Sequence, residues 1–174
     1  MTKSPRRIPM TVTFLEMNAR PTALPPPAPR GKVALLKAEK PPAHYYRYLY
    51  DTIGDAYFWV DRKKLPPEIL SAVIQDPLNQ LFVLYTDGNP AGMAELDLRK
   101  PDTANISYFG LMPEAIGKRL GYFFLYHTCM NAWAMPIQRL TINTCTLDHP
   151  RALPLYQRLG FTAYAREERF VELL

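Results

Sequence analysis

Residues 112–125 read MPEAIGKRLGYFFL, a stretch in which Gly117 and Gly121 stand close together immediately before an apolar run. A helix that begins near Leu120 leaves its first backbone amide groups without intrahelical partners, and such a helix terminus attracts anions. The two glycines let the backbone approach a bulky anion without a Cβ in the way, and Lys118 and Arg119 add positive charge. This stretch therefore predicts a phosphate-binding loop at the start of a helix.

The composition is that of an ordinary globular protein. The chain has 174 residues, 48% of them hydrophobic and 21% charged, which is long enough for one core and short for two. We therefore expect a single domain over residues 1–174. The formal net charge of +5 and the pI near 9.2 suit a phosphate-bearing cofactor, a nucleic acid or a membrane surface, and charge alone does not choose between them.

The cysteines, histidines and apolar runs narrow the class of protein. Cys129 and Cys145 lie in apolar segments without the spacing of a disulfide framework or a metal site, so we expect a reducing, cytoplasmic location. The histidines are scattered and form no zinc motif, and no metal is expected. Every apolar run is well short of the roughly twenty residues of a membrane span, so no membrane partner is expected either.

Hydrophobic periodicity predicts strands and helices that alternate in the second half of the chain. Strands are predicted at residues 11–17 and 31–39, as a hairpin at 79–99, and at 104–113, 139–147 and 161–173. Helices are predicted at residues 44–54, about 66–76, 117–135 and 151–160. The segment at about 18–31 is rich in proline and is predicted to be an extended surface connection. This order indicates a central sheet with crossover helices, an α/β or α+β fold.

The segment DHPRALPLYQRLGF, residues 148–161, adds a second motif. It follows a strand and the predicted phosphate loop, and this order resembles the GNAT superfamily of acyl-CoA-dependent N-acetyltransferases. His149 takes the place of the usual asparagine, and the resemblance extends from about Leu81 to the C-terminus. The positions that match the closing helix of that family are Ala152, Tyr156, Leu159, Gly160 and Phe161.

The resemblance implies a central mixed, mostly antiparallel sheet that is splayed at the acyl-CoA site and flanked by helices on both faces. The family's loop carries Gln or Arg, two residues, Gly, one residue, and Gly or Ala. These positions fall on Ile116, Arg119 and Gly121, of which Ile116 and Arg119 depart from the pattern. The residues that the resemblance assigns to coenzyme A binding are Leu111, Met112, Ile116, Gly117, Lys118, Arg119, Leu120, Gly121 and His149.

Acetyl transfer to an amine requires two further groups. The resemblance gives Tyr156 the role of donating a proton or a hydrogen bond to the departing thiolate. A base must take a proton from the acceptor, and Glu95 is the predicted base, with Asp97 on the same strand face as a predicted substrate-binding group. Tyr108 is predicted to line the acceptor pocket. For each of these residues, packing or simple solvation is the alternative interpretation.

Together these patterns predict an enzyme that transfers an acetyl group from acetyl-CoA to a primary amine by direct attack in a ternary complex. The departures at Ile116 and Arg119 motivate an alternative, a catalytically silent acyl-CoA-binding module that serves as a sensor or regulator. The high pI motivates a second alternative, a nucleic-acid-binding protein, but no binding motif appears and no nucleic-acid partner is expected. The acceptor is expected to be a small-molecule or peptide amine, and its identity and the oligomeric state, a dimer included, stay open.

Overall fold

A computed structural model describes residues 6–173, which form seven strands in one sheet and four α-helices. The strands are β1 (Arg7–Met17), β2 (Val33–Ala38), β3 (Asn79–Thr86), β4 (Asn89–Asp97), β5 (Thr103–Leu111), β6 (Arg139–Cys145) and β7 (Thr162–Glu172). The helices are α1 (Ala43–Gly54), α2 (Pro67–Ile74), α3 (Leu120–Trp133) and α4 (Ala152–Leu159). The predicted α/β class is confirmed.

The sheet has the order β2-β3-β4-β5-β6-β1-β7. Its neighbouring strands are antiparallel except for β5 and β6, which run parallel. The predicted mixed, mostly antiparallel sheet is therefore confirmed. A parallel pair needs a long crossover, and α3 supplies it between β5 and β6.

The parallel pair β5 and β6 separates part of the way along its length. Pairing runs only from Thr103 opposite Arg139 to Ile106 opposite Ile142. On the other side of β5, Leu96 pairs with Ile106 and Glu95 with Tyr108, so Ser107 is an extra residue in the ladder. Such a bulge bends its strand. The second half of β5 therefore leaves β6, and a gap opens in the middle of the sheet.

Helices cover both faces of the sheet, and two successive residues of β5 show this arrangement. The Tyr108 ring packs against Tyr50 of α1 with centroids 4.9 Å apart, whereas the Phe109 ring packs against Phe124 of α3 at 5.1 Å. Successive strand residues point to opposite faces, so α1 and α3 lie on opposite sides. Helix α2 packs beside α1, and α4 packs beside α3.

Local sequence explains where the helices begin and end. In α1 the residues at helical spacing Tyr46, Leu49, Tyr50 and Ile53 are all buried. Helix α3 begins at Leu120, as the predicted phosphate loop requires, and not at the start of the apolar-periodic segment 117–135, because Gly117 and Arg119 both have positive φ angles that a right-handed helix excludes. Helix α4 ends at Gly160, whose φ of 114° suits glycine alone.

Strand β1 lies between β6 and β7 and pairs antiparallel with both. It begins at Arg7, earlier than the predicted start at residue 11, because β7 provides partners along its whole length. Residues 18–32, which join β1 to β2, contain no helix or strand. The connection crosses from β1, next to the edge strand β7, to the opposite edge strand β2 on the other side of β5.

Candidate active site

The predicted phosphate loop has an unusual backbone. Gly117 has a φ of 83° and Arg119 a φ of 61°, and α3 begins directly after them. The amide groups of residues 117–121 donate to no other backbone group of the described chain. Amides at a helix start that lack partners favour an anion. The loop therefore presents a row of N–H donors.

A Cβ atom placed on the loop glycines tests whether they serve packing. At Gly117 it would meet no atom within 4 Å, and at Gly121 it would lie 3.5 Å from Cδ2 of Leu155, an ordinary contact. Neither glycine is therefore required by a neighbouring side chain. Residues 116–121 all line a cavity of about 1850 Å³, so the missing Cβ atoms leave the amides open to a ligand.

Four cations line the same cavity near this loop. Lys118 and Arg119 belong to the loop, whereas Arg151 and Arg158 come from the start and the last turn of α4. None of the four forms an ion pair within residues 6–173. The two arginines near α4 were not predicted, because only the fold brings α4 beside α3. Their charge suits a ligand that carries several phosphates.

Tyr156 projects from α4 into the cavity between the two halves of the splayed sheet. Only 5% of the residue is exposed, and its ring packs edge-on against Phe109 and Phe161. Burial, with smaller contributions from Asp148 and Cys129, raises the pKa of its hydroxyl well above the ordinary value. Its hydroxyl donates to no side chain or carbonyl among the described residues. Tyr156 is therefore a protonated donor that lines the cavity.

An aromatic wall forms the part of the cavity on the α1 face. Tyr108 lies 5.0 Å from Trp59 and 4.9 Å from Tyr50, measured between ring centroids. The guanidinium carbon of Arg62 lies 5.3 Å from the Tyr108 ring centroid. All four residues line the cavity, and the role of Tyr108 at an acceptor pocket stays a prediction. Burial raises the pKa of the Tyr108 hydroxyl, so this group also stays protonated.

Glu95 lies beneath this wall and is completely buried. Its carboxylate forms an ion pair with Arg62 and accepts hydrogen bonds from the Tyr46 hydroxyl and, at 3.1 Å, from Nδ2 of Asn79. Burial lowers the pKa of Arg62, but the charge of Glu95 and its hydrogen bond raise this pKa above its ordinary value. Glu95 does not line the cavity, and its role as base stays a prediction.

The other predicted residues divide into two groups. Leu111 and His149 line the cavity, and Nδ1 of His149 accepts a hydrogen bond of 3.1 Å from the Arg151 amide. Met112 and Asp97 do not line it. Met112 is fully buried and its amide donates to the Ala91 carbonyl at 2.9 Å. The Asp97 carboxylate accepts two hydrogen bonds from the Arg99 side chain, which lower its pKa.

The proline-rich connection contributes to the cavity. Residues 26–30 line it together with residues 57–62 of the loop after α1. The end of the connection is fixed to the β3–β4 turn, where the Lys32 amide donates to Asp87 at 3.2 Å and the Asp87 amide donates to the Lys32 carbonyl at 2.8 Å. The sequence predicted only a surface connection, because no local pattern relates residues 26–30 to a site far along the chain.

Within the described residues, no three His, Cys, Asp or Glu side chains are grouped as they would be around a metal ion. No helix in the same part of the chain has the length and apolar character to cross a membrane. Cys129 and Cys145 are both free thiols, and burial raises the pKa of the Cys129 thiol. Neither cysteine is therefore prepared as a thiolate nucleophile.

A comparison with known protein families finds one family whose sequence profile matches most of the chain. The sequence profile of the acetyltransferase (GNAT) family matches residues 46–161, which include the loop, Tyr108 and Tyr156. No protein of curated function matches the sequence.

Solved structures share the fold at low sequence identity. A GCN5-related N-acetyltransferase from Kribbella flavida has a TM-score of 0.64 and 18% identity, over 94% of this chain and 60% of that chain. A Bacillus subtilis acetyltransferase in complex with CoA has a TM-score of 0.59 and 20% identity, over 77% of this chain and 79% of that chain. An aminoglycoside acetyltransferase from an uncultured soil sample, in complex with trehalose, has a TM-score of 0.63 and 15% identity, over 82% of this chain and 96% of that chain. Against three other similar structures, this chain spans 52%, 53% and 63% of their length.

Proposed function

Because the chain belongs to the acetyltransferase (GNAT) family, we propose that it transfers an acetyl group from acetyl-CoA to a primary amine by direct attack in a ternary complex. One observation carries the proposal: a single cavity joins the loop of unpartnered amides to Tyr156 and to the aromatic wall around Tyr108. Phosphate binding, thiolate stabilisation and amine binding can thus take place along one continuous surface.

Coenzyme A fits the loop end of the cavity. The free amides of residues 117–121 and the four cations of the loop and α4 would hold its phosphates. Gly117 and Gly121 leave room for a close approach. The Bacillus subtilis acetyltransferase that shares the fold is in complex with CoA, which supports the same ligand here. Leu111 and His149 are proposed to contact the same ligand, since both line the cavity.

The reaction forms one bond and breaks one. The amine nitrogen attacks the acetyl carbonyl carbon, a C–N bond forms, and the C–S bond breaks to release the thiolate of coenzyme A. Tyr156 is proposed to donate a hydrogen bond or its proton to that thiolate. Because its pKa is raised, the hydroxyl is in the protonated form that this role requires. The attack also releases one proton from the amine, which passes to water, so the net products are the amide and the thiol of coenzyme A.

Glu95 enters this proposal mainly as a positioning residue. Three donors already occupy its carboxylate, and its buried charge fixes Arg62 beside Tyr108. The geometry thus supports a role in shaping the acceptor wall, and the role of base remains open to test. Asp97 is held by Arg99 outside the cavity, which gives the predicted substrate contact no support from position.

The alternative of a silent acyl-CoA-binding module has one observation in its favour. Arg119 occupies a glycine position of the family loop and adopts the strained φ of 61° that glycine would adopt freely.

For both of these functions, we propose that the protein is in the cytoplasm, because its cysteines are free thiols. The acceptor of the enzyme is proposed to be a small-molecule or peptide amine.

Release of free thiol from acetyl-CoA, measured with a panel of primary amines, separates the two functions. An enzyme releases thiol in an amine-dependent manner, and the acetylated amine appears in equal amount. A silent module gains thermal stability from coenzyme A by mass action but releases no thiol above the buffer rate with any amine. Absence of both the stability gain and the turnover would refute the proposed function and its alternative together.

A further inference from the structure

The acidic side chains that line the cavity differ in whether they already have a partner. Asp87 accepts a hydrogen bond from the Lys32 amide, Asp148 accepts one from the Thr144 hydroxyl at 2.8 Å, and Glu172 forms an ion pair with Arg7. The fourth, Asp61, accepts no hydrogen bond and forms no ion pair with residues 6–173. Asp61 is therefore the available carboxylate of the cavity.

Asp61 stands beside the aromatic wall. It lies between Val60 and Arg62 in the loop after α1, and the amide of Arg62 donates to the Tyr50 hydroxyl at 3.2 Å. Burial is the main reason that the pKa values of Tyr50 and Tyr108 are raised, and the charge of Asp61 raises both further. Asp61 and both tyrosines line the same cavity, so a ligand bound at Asp61 would share a surface with the two hydroxyl groups.

The cations near Asp61 leave its charge available. Arg62 is neutralised by the buried carboxylate of Glu95. Asp61, Arg30 and Lys64 all line the cavity and are all exposed, so water and salt weaken the attraction among them and leave the carboxylate free to take another partner. An acceptor ammonium can therefore exchange its hydration for the Asp61 carboxylate.

Trp59 has a closely packed position in the aromatic wall. A Cβ on Gly54 would lie 2.6 Å from Cβ of Trp59, and one on Gly110 would lie 3.3 Å from its Cη2. A side chain at Gly54 would therefore displace Trp59, whereas a Cβ at Gly110 would first meet Cγ2 of Ile53 and would touch Trp59 only tightly. The ring is held in a fixed position against Tyr108.

Phe58 adds an aromatic side chain that packing does not explain. It has a φ of 57°, which a bulky residue adopts only under strain, yet it is 38% exposed and lines the cavity. Pro26, Pro27 and Pro29 of the connection line the same cavity with rigid apolar rings. An exposed, strained aromatic residue that lines the same cavity as these apolar rings suits a ligand that has an aromatic body.

We infer that the acceptor is an aromatic primary amine whose ammonium group binds Asp61 and whose ring packs against Phe58, Trp59 and Tyr108. This inference rests on the proposed function, since it names the acceptor of that reaction. It assigns Asp61 and Phe58 as substrate-binding residues of a site in which the sequence pointed to Glu95 and Asp97.

Calorimetric titration of amines into the protein saturated with coenzyme A tests the inference without requiring turnover. We expect 2-phenylethylamine and tryptamine to bind at least about tenfold more tightly than propylamine and spermidine. Asp61→Asn should weaken 2-phenylethylamine and propylamine alike by about twofold to fivefold, because both carry the ammonium and Asp61 is exposed. Phe58→Gly should weaken 2-phenylethylamine alone, and glycine accepts the positive φ without strain.

Asp97→Asn is the matched control, because that carboxylate lies outside the cavity and should leave all amine affinities unchanged. Unchanged coenzyme A affinity verifies that each variant is folded. Tighter binding of spermidine than of 2-phenylethylamine, wild-type affinity in Asp61→Asn, or no amine binding at 10 mM would each overturn the inference. Thiol release with polyamines alone would refute it and leave the proposed function intact. Binding of aromatic amines without any thiol release would refute the proposed function and leave the aromatic amine site intact.

Discussion

Replacing Arg119 by glycine tests where the phosphate loop ends and the helix begins. In the structure Arg119 has φ 61° and ψ 24° and precedes the first residue of α3. A left-handed conformation costs an L-residue about 1–2 kcal/mol, and glycine does not incur this cost. Glycine loses about 0.5–1 kcal/mol more than alanine in conformational entropy on folding. The difference leaves Arg119→Gly more stable than Arg119→Ala by about 0.5–1 kcal/mol.

Arg119→Ala is the matched control, because it removes the same charge but keeps the strain. Urea unfolding of the two variants gives the difference in the free energy of unfolding directly. For a chain of this length, 1 kcal/mol corresponds to a change of about 2–4 °C in Tm. Coenzyme A affinity should fall by a similar factor in both variants, since each loses one cation of the loop. A glycine variant no more stable than the alanine variant would show that residue 119 is not left-handed and that the loop is wrongly described.

Three further predictions concern the cavity and the buried ion pair. Tyr156→Phe should lower kcat by at least tens-fold and leave coenzyme A affinity unchanged. Because the pKa of the Tyr156 hydroxyl is raised, the wild-type kcat should show no loss from ionisation of this phenol up to about pH 10. A Phe variant that keeps more than half the wild-type kcat, with chemistry rate-limiting, would assign the hydroxyl to packing. Gly121→Asp should weaken coenzyme A binding at least about tenfold, because it places a carboxylate at the anion site. Gly121→Ala should fold normally, because its Cβ would make ordinary contacts with Leu155 at 3.5 Å and Leu111 at 3.9 Å. Equal coenzyme A affinity in the two variants would contradict an anion site there. Glu95→Gln should lower the free energy of unfolding by about 3 kcal/mol, because it leaves the charge of Arg62 without its partner. Urea unfolding with no change in midpoint would refute that ion pair.

The loop and the closing helix could be predicted from sequence because their signals are local. Gly117 and Gly121 before an apolar run indicate a helix start, and a glycine after Leu159 indicates a helix end. Even the departure at Arg119 was visible as a mismatch to the family pattern. What the sequence did not show is that this arginine adopts the backbone conformation of the glycine it replaces.

The acceptor side of the cavity could not be predicted, because its residues come from distant parts of the chain. Glu95 meets Tyr46 and Arg62 across 49 and 33 residues, and alternation along β4 says nothing about partners on α1. The same alternation placed Glu95 and Asp97 on one face of the strand, but it did not show that Glu95 is buried. Residues 26–30 reach the cavity only because the connection ends at the turn between β3 and β4.

The position of β1 affects the order in which the protein can be assembled during synthesis. Arg7 pairs with Glu172, so the first described strand completes its hydrogen bonds only after residue 172 has been made. Until β6 is made, β1 has unpaired backbone groups on both edges, and until β7 is made it keeps one such edge, which makes it available to other strands and to chaperones. Pairings between such distant residues also slow folding, because the entropy of closing the chain is lost before the contacts form. A nascent chain halted before residue 139 would have neither of the strands that β1 needs.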